Sequence, residues 1–231
     1  MKSVVELSEY NGEKELCINC TQLDQSYKPK DKKRILNEWI NFLSENEKAF
    51  AKLSFRTRVT QELFDAICMQ RKLKNLHLKW GVYHDLSNIY KLKDLQFLYI
   101  GSGSKVESVS PLSTLKSIKG LYIENFQKVQ DYSPLQVMNS LDSLTICGDG
   151  TSPQYIKVDS IGFLNNMKQL KYLRLLTIRL QDGDYTPVMA LVNLEHLSLR
   201  SHRDVKKIYE ELVSLPNLKW GLLKLRPENY T

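Results

Sequence analysis

The amino-acid sequence predicts an α/β right-handed solenoid, with a curved parallel β-sheet on one side, short helices and turns on the convex side, and an N-terminal β-α cap. Three observations carry this expectation. Residues 92–100 read LKDLQFLYI and residues 115–123 read LKSIKGLYI, nearly the same phrase twice. The apolar pattern beneath that echo recurs along most of the chain. Between its recurrences a second phrase repeats, centred on Ser-Pro or Thr-Pro.

The pattern is L-x-x-L-x-x-L-x-L, with Leu, Ile, Met or Phe in the apolar slots. It is matched at 92-95-98-100, 115-118-121-123, 138-141-144-146, 167-170-173-175 and 191-194-197-199. Weaker versions precede these at Leu73, Leu76 and Leu78 and at Phe50, Leu53 and Phe55, and an irregular one follows at Leu215, Leu218, Gly221 and Leu223. The third slot falls at 53, 76, 98, 121, 144, 173, 197 and 221, hence at intervals of 23, 22, 23, 23, 29, 24 and 24 residues. Units of about 20 to 29 residues with this signature are leucine-rich repeats, each giving one short strand to a parallel sheet. Slots 98 and 100 are two apart, so both side chains point inward from one strand. One unit buries about five large side chains, too few to offset the ordering of its own backbone, so the units are expected to fold only when stacked.

The returning segments carry SVSPL at 108–112, DYSPL at 131–135, DYTPV at 184–188 and DLSNI at 85–89. Ser110, Ser133 and Thr186 are expected to be N-caps, with Pro111, Pro134 and Pro187 at the first helical position.

The ends of such an array need sealing. Residues 1–50 are expected to form the N-terminal α/β cap: a strand at 15–19, then a helix over 31–50 with Ile35, Leu36, Trp39, Ile40 and Leu43 on one face. Residues 51–231 are expected to hold about eight repeats, including a C-terminal cap. Within them a helix at 60–68 buries Leu63, Phe64 and Ile67, and a terminal amphipathic helix runs through Val205, Ile208, Tyr209, Leu212 and Leu215 before the array ends at 219–225. The 29-residue interval contains an insertion at 148–160 that reads as a loop, a place where solenoids often carry binding.

Over residues 73–199 the chain resembles the internalin-type leucine-rich repeats of bacteria, through L-x-x-L-x-x-L-x-I followed by x-x-S-P-L. The resemblance implies a right-handed solenoid whose concave sheet binds other proteins. Internalin-type repeats usually place Asn three residues after the last strand leucine; here those positions hold Gly81, Gly103, Phe126, Asp149, Ile178 and His202. No export signal or surface anchor is visible, so the fold carries over and the role of a surface adhesin does not.

Composition narrows the function. Apolar residues make up 42% of the chain and charged residues 26%, as in ordinary globular proteins. Glu6, Glu9, Glu13 and Glu15 interrupt the N-terminus before any run of signal-peptide length, and nothing approaches about 18 consecutive apolar residues. A cytoplasmic monomer that does not engage membranes is expected. Cys17 and Cys20 have the spacing of half a zinc site, but Cys68 and Cys147 stand alone, so all four read as small apolar residues and no cofactor is expected. The four histidines lie in different repeats, and neither a nucleophile motif nor a phosphate-cradling glycine loop is present, so the protein is not expected to be an enzyme.

Function is therefore sought on the concave face. The register places His77, Lys79, Phe97, Tyr99, Tyr122 and Glu124 there, with Tyr172, Arg174, His196 and Arg200 on later strands and Trp80 and His202 one step further along the edge. Tyr, Trp, Phe and Arg are the types enriched where partners bind. The net charge of +7 favours a protein partner with an acidic patch. The expected function is a protein-binding module, of which an immunity or inhibitor protein is one form; the alternative is nucleic-acid binding through the same basic, aromatic face.

Overall fold

The computed structural model describes residues 1–150 and 154–230. In chain order the elements are β1 Lys2–Val4, β2 Glu15–Ile18, α1 Pro29–Glu45, β3 Lys52–Phe55, α2 Gln61–Ile67, β4 Asn75–Leu78, β5 Phe97–Ile100, β6 Gly120–Glu124, β7 Ser143–Cys147 and β8 Ile156–Val158. They continue with β9 Tyr172–Leu176, β10 Ile178–Leu180, β11 His196–Leu199, α3 Arg203–Lys207, α4 Tyr209–Val213 and α5 Leu222–Leu225. Nine strands form one sheet in the order β1-β2-β3-β4-β5-β6-β7-β9-β11, every pair parallel. This is a leucine-rich repeat solenoid, each turn adding one strand beside the last.

The repeat positions become rungs without a slip in register. Leu53, Leu76, Leu98, Leu121, Leu144, Leu173 and Leu197 pair in sequence across neighbouring strands, as do Phe55, Leu78, Ile100, Ile123, Ile146, Leu175 and Leu199. All are buried. A slip of one residue would turn every one of them to the outside, which is why the aliphatic pattern fixes the pairing.

The return paths are 3-10 turns, at Ser87–Lys91, Ser110–Thr114, Ser133–Val137, Gly162–Asn166 and Thr186–Ala190. Their capping differs from the expectation. Ser110, Ser133 and Thr186 are not N-caps; each is the first residue of its turn, and its backbone N–H donates to the side chain two residues earlier. Ser133 N–H donates to Asp131 at 2.8 Å, Thr186 N–H to Asp184 at 2.9 Å and Ser110 N–H to Ser108 at 3.1 Å. The loose phrase at 85–89 follows the same rule through Asp85 and Ser87, at 2.8 Å. A short acceptor reaching two residues forward closes its own local turn, and the tight 3-10 geometry leaves the Ser or Thr inside the helix.

Both caps differ from expectation in detail. At the front, β1 is an additional strand that pairs with β2, and α1 ends at Glu45 rather than reaching residue 50. Ile35, Trp39 and Leu43 of α1 are buried, and the Trp39 indole N–H donates to the Val5 carbonyl at 2.8 Å. At the far end the expected single helix is two, α3 and α4, broken at Ile208. The last repeat has no full strand: a single bridge joins His196 to Trp220, after which α5 begins. Gly221 ends the sheet because its backbone passes so close to Leu197 that a Cβ would lie 2.0 Å from the Leu197 carbonyl oxygen.

The insertion is not wholly a loop. Residues 151–153 lie outside the described residues, but Ile156–Val158 forms β8, which pairs in parallel with β10 of the next turn as a second, two-stranded sheet. Among the described residues no helix is long and apolar enough to cross a membrane.

Candidate partner-binding groove

The outward residues of the strands also pair rung by rung. Ser54, His77, Tyr99, Tyr122, Thr145, Arg174 and Ser198 form one row on the concave face. Beside it run Lys52, Asn75, Phe97, Gly120, Ser143, Tyr172 and His196.

Strand spacing of about 4.8 Å sets flat rings on adjacent rungs at stacking distance. His77 lies on Tyr99 with centroids 4.3 Å apart, and Tyr99 lies on Tyr122 at 4.2 Å with planes 15° apart. The three rings are thereby half-buried against one another, although none enters the core. Phe97 has no ring beside it on the next strand; it spreads over Gly120, where a Cβ would come within 2.8 Å of the ring, and stays 48% exposed.

The rings are tied to the charges around them. The Tyr99 hydroxyl donates to Glu124 at 3.1 Å, and burial together with that carboxylate pushes the phenol up to about 12. Tyr122 is raised further, first by burial and then by its contact with the Cys147 thiol at 3.4 Å. Burial holds His77 below its ordinary value, with Arg56 adding to the effect, so its imidazole is neutral at pH 7.

A groove of about 600 Å³ runs over these rungs from β3 to β9. It brings together six of the residues expected at the site: His77, Phe97, Tyr99, Tyr122, Tyr172 and Arg174. Lys52 and Arg56 also line it, and no carboxylate does among the described residues. The Arg174 guanidinium lies half-buried, without a hydrogen-bond or ion-pair partner in the described structure. Lys52 and Arg56 occupy the same slots on β3 as Phe97 on β5 and Lys79 after β4, so the period that located the other residues also points to them.

The remaining expected residues lie elsewhere. Glu124 borders the row beyond the groove, where it also accepts from the Gly150 N–H at 3.2 Å. Lys79 and Trp80 follow β4 at the strand-exit edge, Lys79 exposed and Trp80 half-buried. Arg200 packs over the Tyr155 ring, 4.9 Å from its centroid. His202 caps α3 through its Nδ1, which accepts from the Asp204 N–H at 3.4 Å. His196 is buried in the C-terminal cap, flat on Tyr172 with centroids 4.0 Å apart and edge-on to Trp220 at 4.1 Å. All four cysteines are buried, and the described residues contain no cluster suited to a metal ion.

No protein family and no curated protein matches the sequence. Solved structures resemble this chain to differing degrees. An internalin from Listeria monocytogenes superposes with a TM-score of 0.55 at 18% identity, covering 75% of this chain and 54% of that one. The leucine-rich repeat ectodomain of the Arabidopsis thaliana receptor kinase GASSHO1/SCHENGEN3, solved with Casparian strip integrity factor 2, gives 0.46 at 13% identity and covers 76% and 27%. A Leptospira interrogans leucine-rich repeat protein gives 0.35 at 15% identity, covering 89% and 64%. The chain thus spans about half the length of the internalin and about a quarter of the plant ectodomain.

Proposed function

We propose that this leucine-rich repeat solenoid is a non-enzymatic binding module that holds an acidic protein segment in its concave groove. The observation that carries the reading is the lining itself: Lys52, Arg56 and Arg174 face one cleft with stacked aromatic rings, no carboxylate lines it among the described residues, and of the three only Lys52 has an acidic partner, Glu15 at 3.8 Å. An unpaired half-buried guanidinium is complementary to a carboxylate, which it can take in two parallel hydrogen bonds. Phe97 supplies an exposed apolar anchor in the same groove, three strands away. Rings that are already stacked cost little further side-chain entropy on binding, the condition for tight association with a preformed surface. An inhibitor or immunity protein acting one-to-one in a reducing cytoplasm, where four buried thiols persist, is the form of this function we favour.

The same geometry disfavours nucleic acid in the groove. Stacking of bases needs free ring faces. His77, Tyr99 and Tyr122 have turned theirs toward one another.

The test is comparative capture from native extract by the wild-type protein, by Tyr99→Ala/Tyr122→Ala and by Arg56→Gln/Arg174→Gln, each confirmed folded by circular dichroism. A protein retained by the wild type through nuclease treatment, and lost from both variants, is the expected result. Equal retention by all three would exclude the groove as the binding site.

A further inference from the structure

The edge of the solenoid where the chain enters each strand carries more positive charge than its ion pairs and the groove use. Five residues before the inward leucine of each of the first six turns stand Lys48, Arg71, Lys93, Lys116, Asn139 and Lys168, all exposed. The strands keep one register from β3 to β9, and matching turns lead into them, such as those closed by Leu73 N–H to Gln70, Leu95 N–H to Leu92 and Leu170 N–H to Met167. The five cations therefore stand in one column. Lys74, Lys119 and Lys171, three residues later in their turns, add a second column beside it.

The segments entering the eight turns (46–51, 69–74, 91–96, 114–119, 137–142, 166–171, 190–195 and 214–219) hold eleven Lys or Arg and four Asp or Glu. That difference of seven equals the net charge of the whole chain, so the rest of the molecule balances to zero. Like charges facing each other on neighbouring strands destabilise a sheet. Part of the column is compensated: Arg71 pairs with Glu47 at 2.9 Å and Lys116 donates to the Ser113 carbonyl at 2.9 Å. Lys48, Lys93 and Lys168 have no such partner among the described residues.

Against the first rungs of the column lies a recess of about 560 Å³. Lys48, Arg71 and Lys93 line it together with Lys91 and Tyr90. Met69 and the Lys72–Asp94 pair, 3.1 Å apart, complete the lining, so its one carboxylate is already held by a lysine. The Tyr90 ring is 53% exposed, and the Lys91 ammonium sits 5.9 Å from its centroid. Unlike His77, Tyr99 and Tyr122, this ring is stacked on no other ring among the described residues.

We propose that the strand-entry edge binds single-stranded nucleic acid, its phosphates following the column from Lys48 to Lys168 and one base resting on Tyr90 in the recess. A line of cations repeating once per turn matches a polymer with one negative charge per unit. A membrane surface would have no use for a recess, and the lysine ammonium, a hydrated point charge without a fixed fork, suits contact with phosphates regardless of sequence. This surface is separate from the concave groove, so the two can be occupied independently.

The test uses the full chain and a fluorescent oligothymidylate of about 20 nucleotides, followed by anisotropy across a salt series. Five phosphate contacts give a slope of log affinity against log salt of about −3.5, and Lys48→Gln/Lys93→Gln/Lys116→Gln should reduce it to about −1.4. Tyr90→Ala should weaken binding about tenfold, the loss of one stacked base. The affected side chains are exposed, and circular dichroism checks that each variant is folded. Arg56→Gln/Arg174→Gln, which alters only the groove, should bind as the wild type does. Absence of binding at low salt, or equal binding by the edge variants, would overturn the proposal; so would loss of binding in the groove variant alone. Capture of phosphatidylserine vesicles by the edge in place of the oligonucleotide would identify an anionic membrane as the occupant and overturn it as well.

Discussion

The hydroxyl of Ser198 lies 2.8 Å from Nε2 of His196, beneath the Trp220 side chain that closes the solenoid. The other imidazole nitrogen, Nδ1, is buried without a partner among the described residues, and burial, reinforced by the positive charge of Arg174, holds this histidine below its ordinary value of 6.5.

That arrangement makes the C-terminal cap acid-sensitive. The unfolded chain takes up a proton near pH 6.5, while folded His196 resists it. The stabilisation is complete above that pH and is lost as pH falls towards the depressed folded value. His77 shifts in the same direction, so its contribution adds. Urea denaturation should show falling stability between about pH 7 and pH 5, and His196→Gln should lose less over that interval than the wild type. Equal losses would remove His196 from the account.

Gln70 is fully buried and joins the N-terminal cap to the array. Its amide NH₂ donates to the Leu43 carbonyl at 2.6 Å and to the Asn46 carbonyl at 3.0 Å, while its oxygen accepts from the Phe50 N–H at 3.3 Å. Gln70→Leu fills the space and strands the Leu43 carbonyl and the Phe50 N–H, so it should cost about 3 kcal/mol. Hydrogen exchange in α1 should accelerate more than in β6 if the cap then loosens separately; uniform acceleration would show that cap and array still unfold as one.

In the Asp-x-Ser-Pro turns the cap is the aspartate. Asp131→Ala should cost about 1 kcal/mol in equilibrium denaturation, the ordinary worth of such an acceptor. Ser133→Ala should stay within about 0.5 kcal/mol of the wild type. The reverse order would restore the serine as the capping residue.

The array and its register were legible because one slot carries the same chemistry in every turn: from Leu53 to Leu197, aliphatic residues specify both strand and inward face. The pairing of Tyr99 with Tyr122 follows from the same period, since residues in one slot become neighbours. Features without a periodic signal were hidden. β1 is three residues long, too short to show alternation, and is recognisable only by the partner it finds in β2. The Asx-type turns were misread because capping was assigned by analogy with an α-helix, whereas a 3-10 turn moves the acceptor to Asp131, outside the Ser-Pro pair. The burial of His196 depended on the final turn reducing to a bridge at Trp220, a tertiary consequence of Gly221 that spacing alone does not express.

Gly221 has φ near +121°, and its neighbour across the bridge leaves no space for a side chain. Gly221→Ala should therefore cost about 3 kcal/mol through strain and displaced backbone. For a chain of this size that amounts to a fall of about 10 °C in Tm. An unchanged Tm would mean that the terminal bridge contributes nothing to closing the array.

The β8–β10 pair bears on how the molecule bends. Helices α1 and α2 lie on the outer wall at the N-terminal end, and a helix is about 10 Å across where a strand takes up about 4.8 Å. Such bulky outer packing acts as a wedge and forces the inner rungs to converge. Around β9 the return side carries, among the described residues, only the 3-10 turns Gly162–Asn166 and Thr186–Ala190 and the β8–β10 pair, so it should advance at nearly the pitch of the inner strands. The concavity should thus be tighter over the turns that hold Arg56 and His77 than towards Arg174. An extended ligand would then be gripped more closely at the Arg56 end than at the Arg174 end.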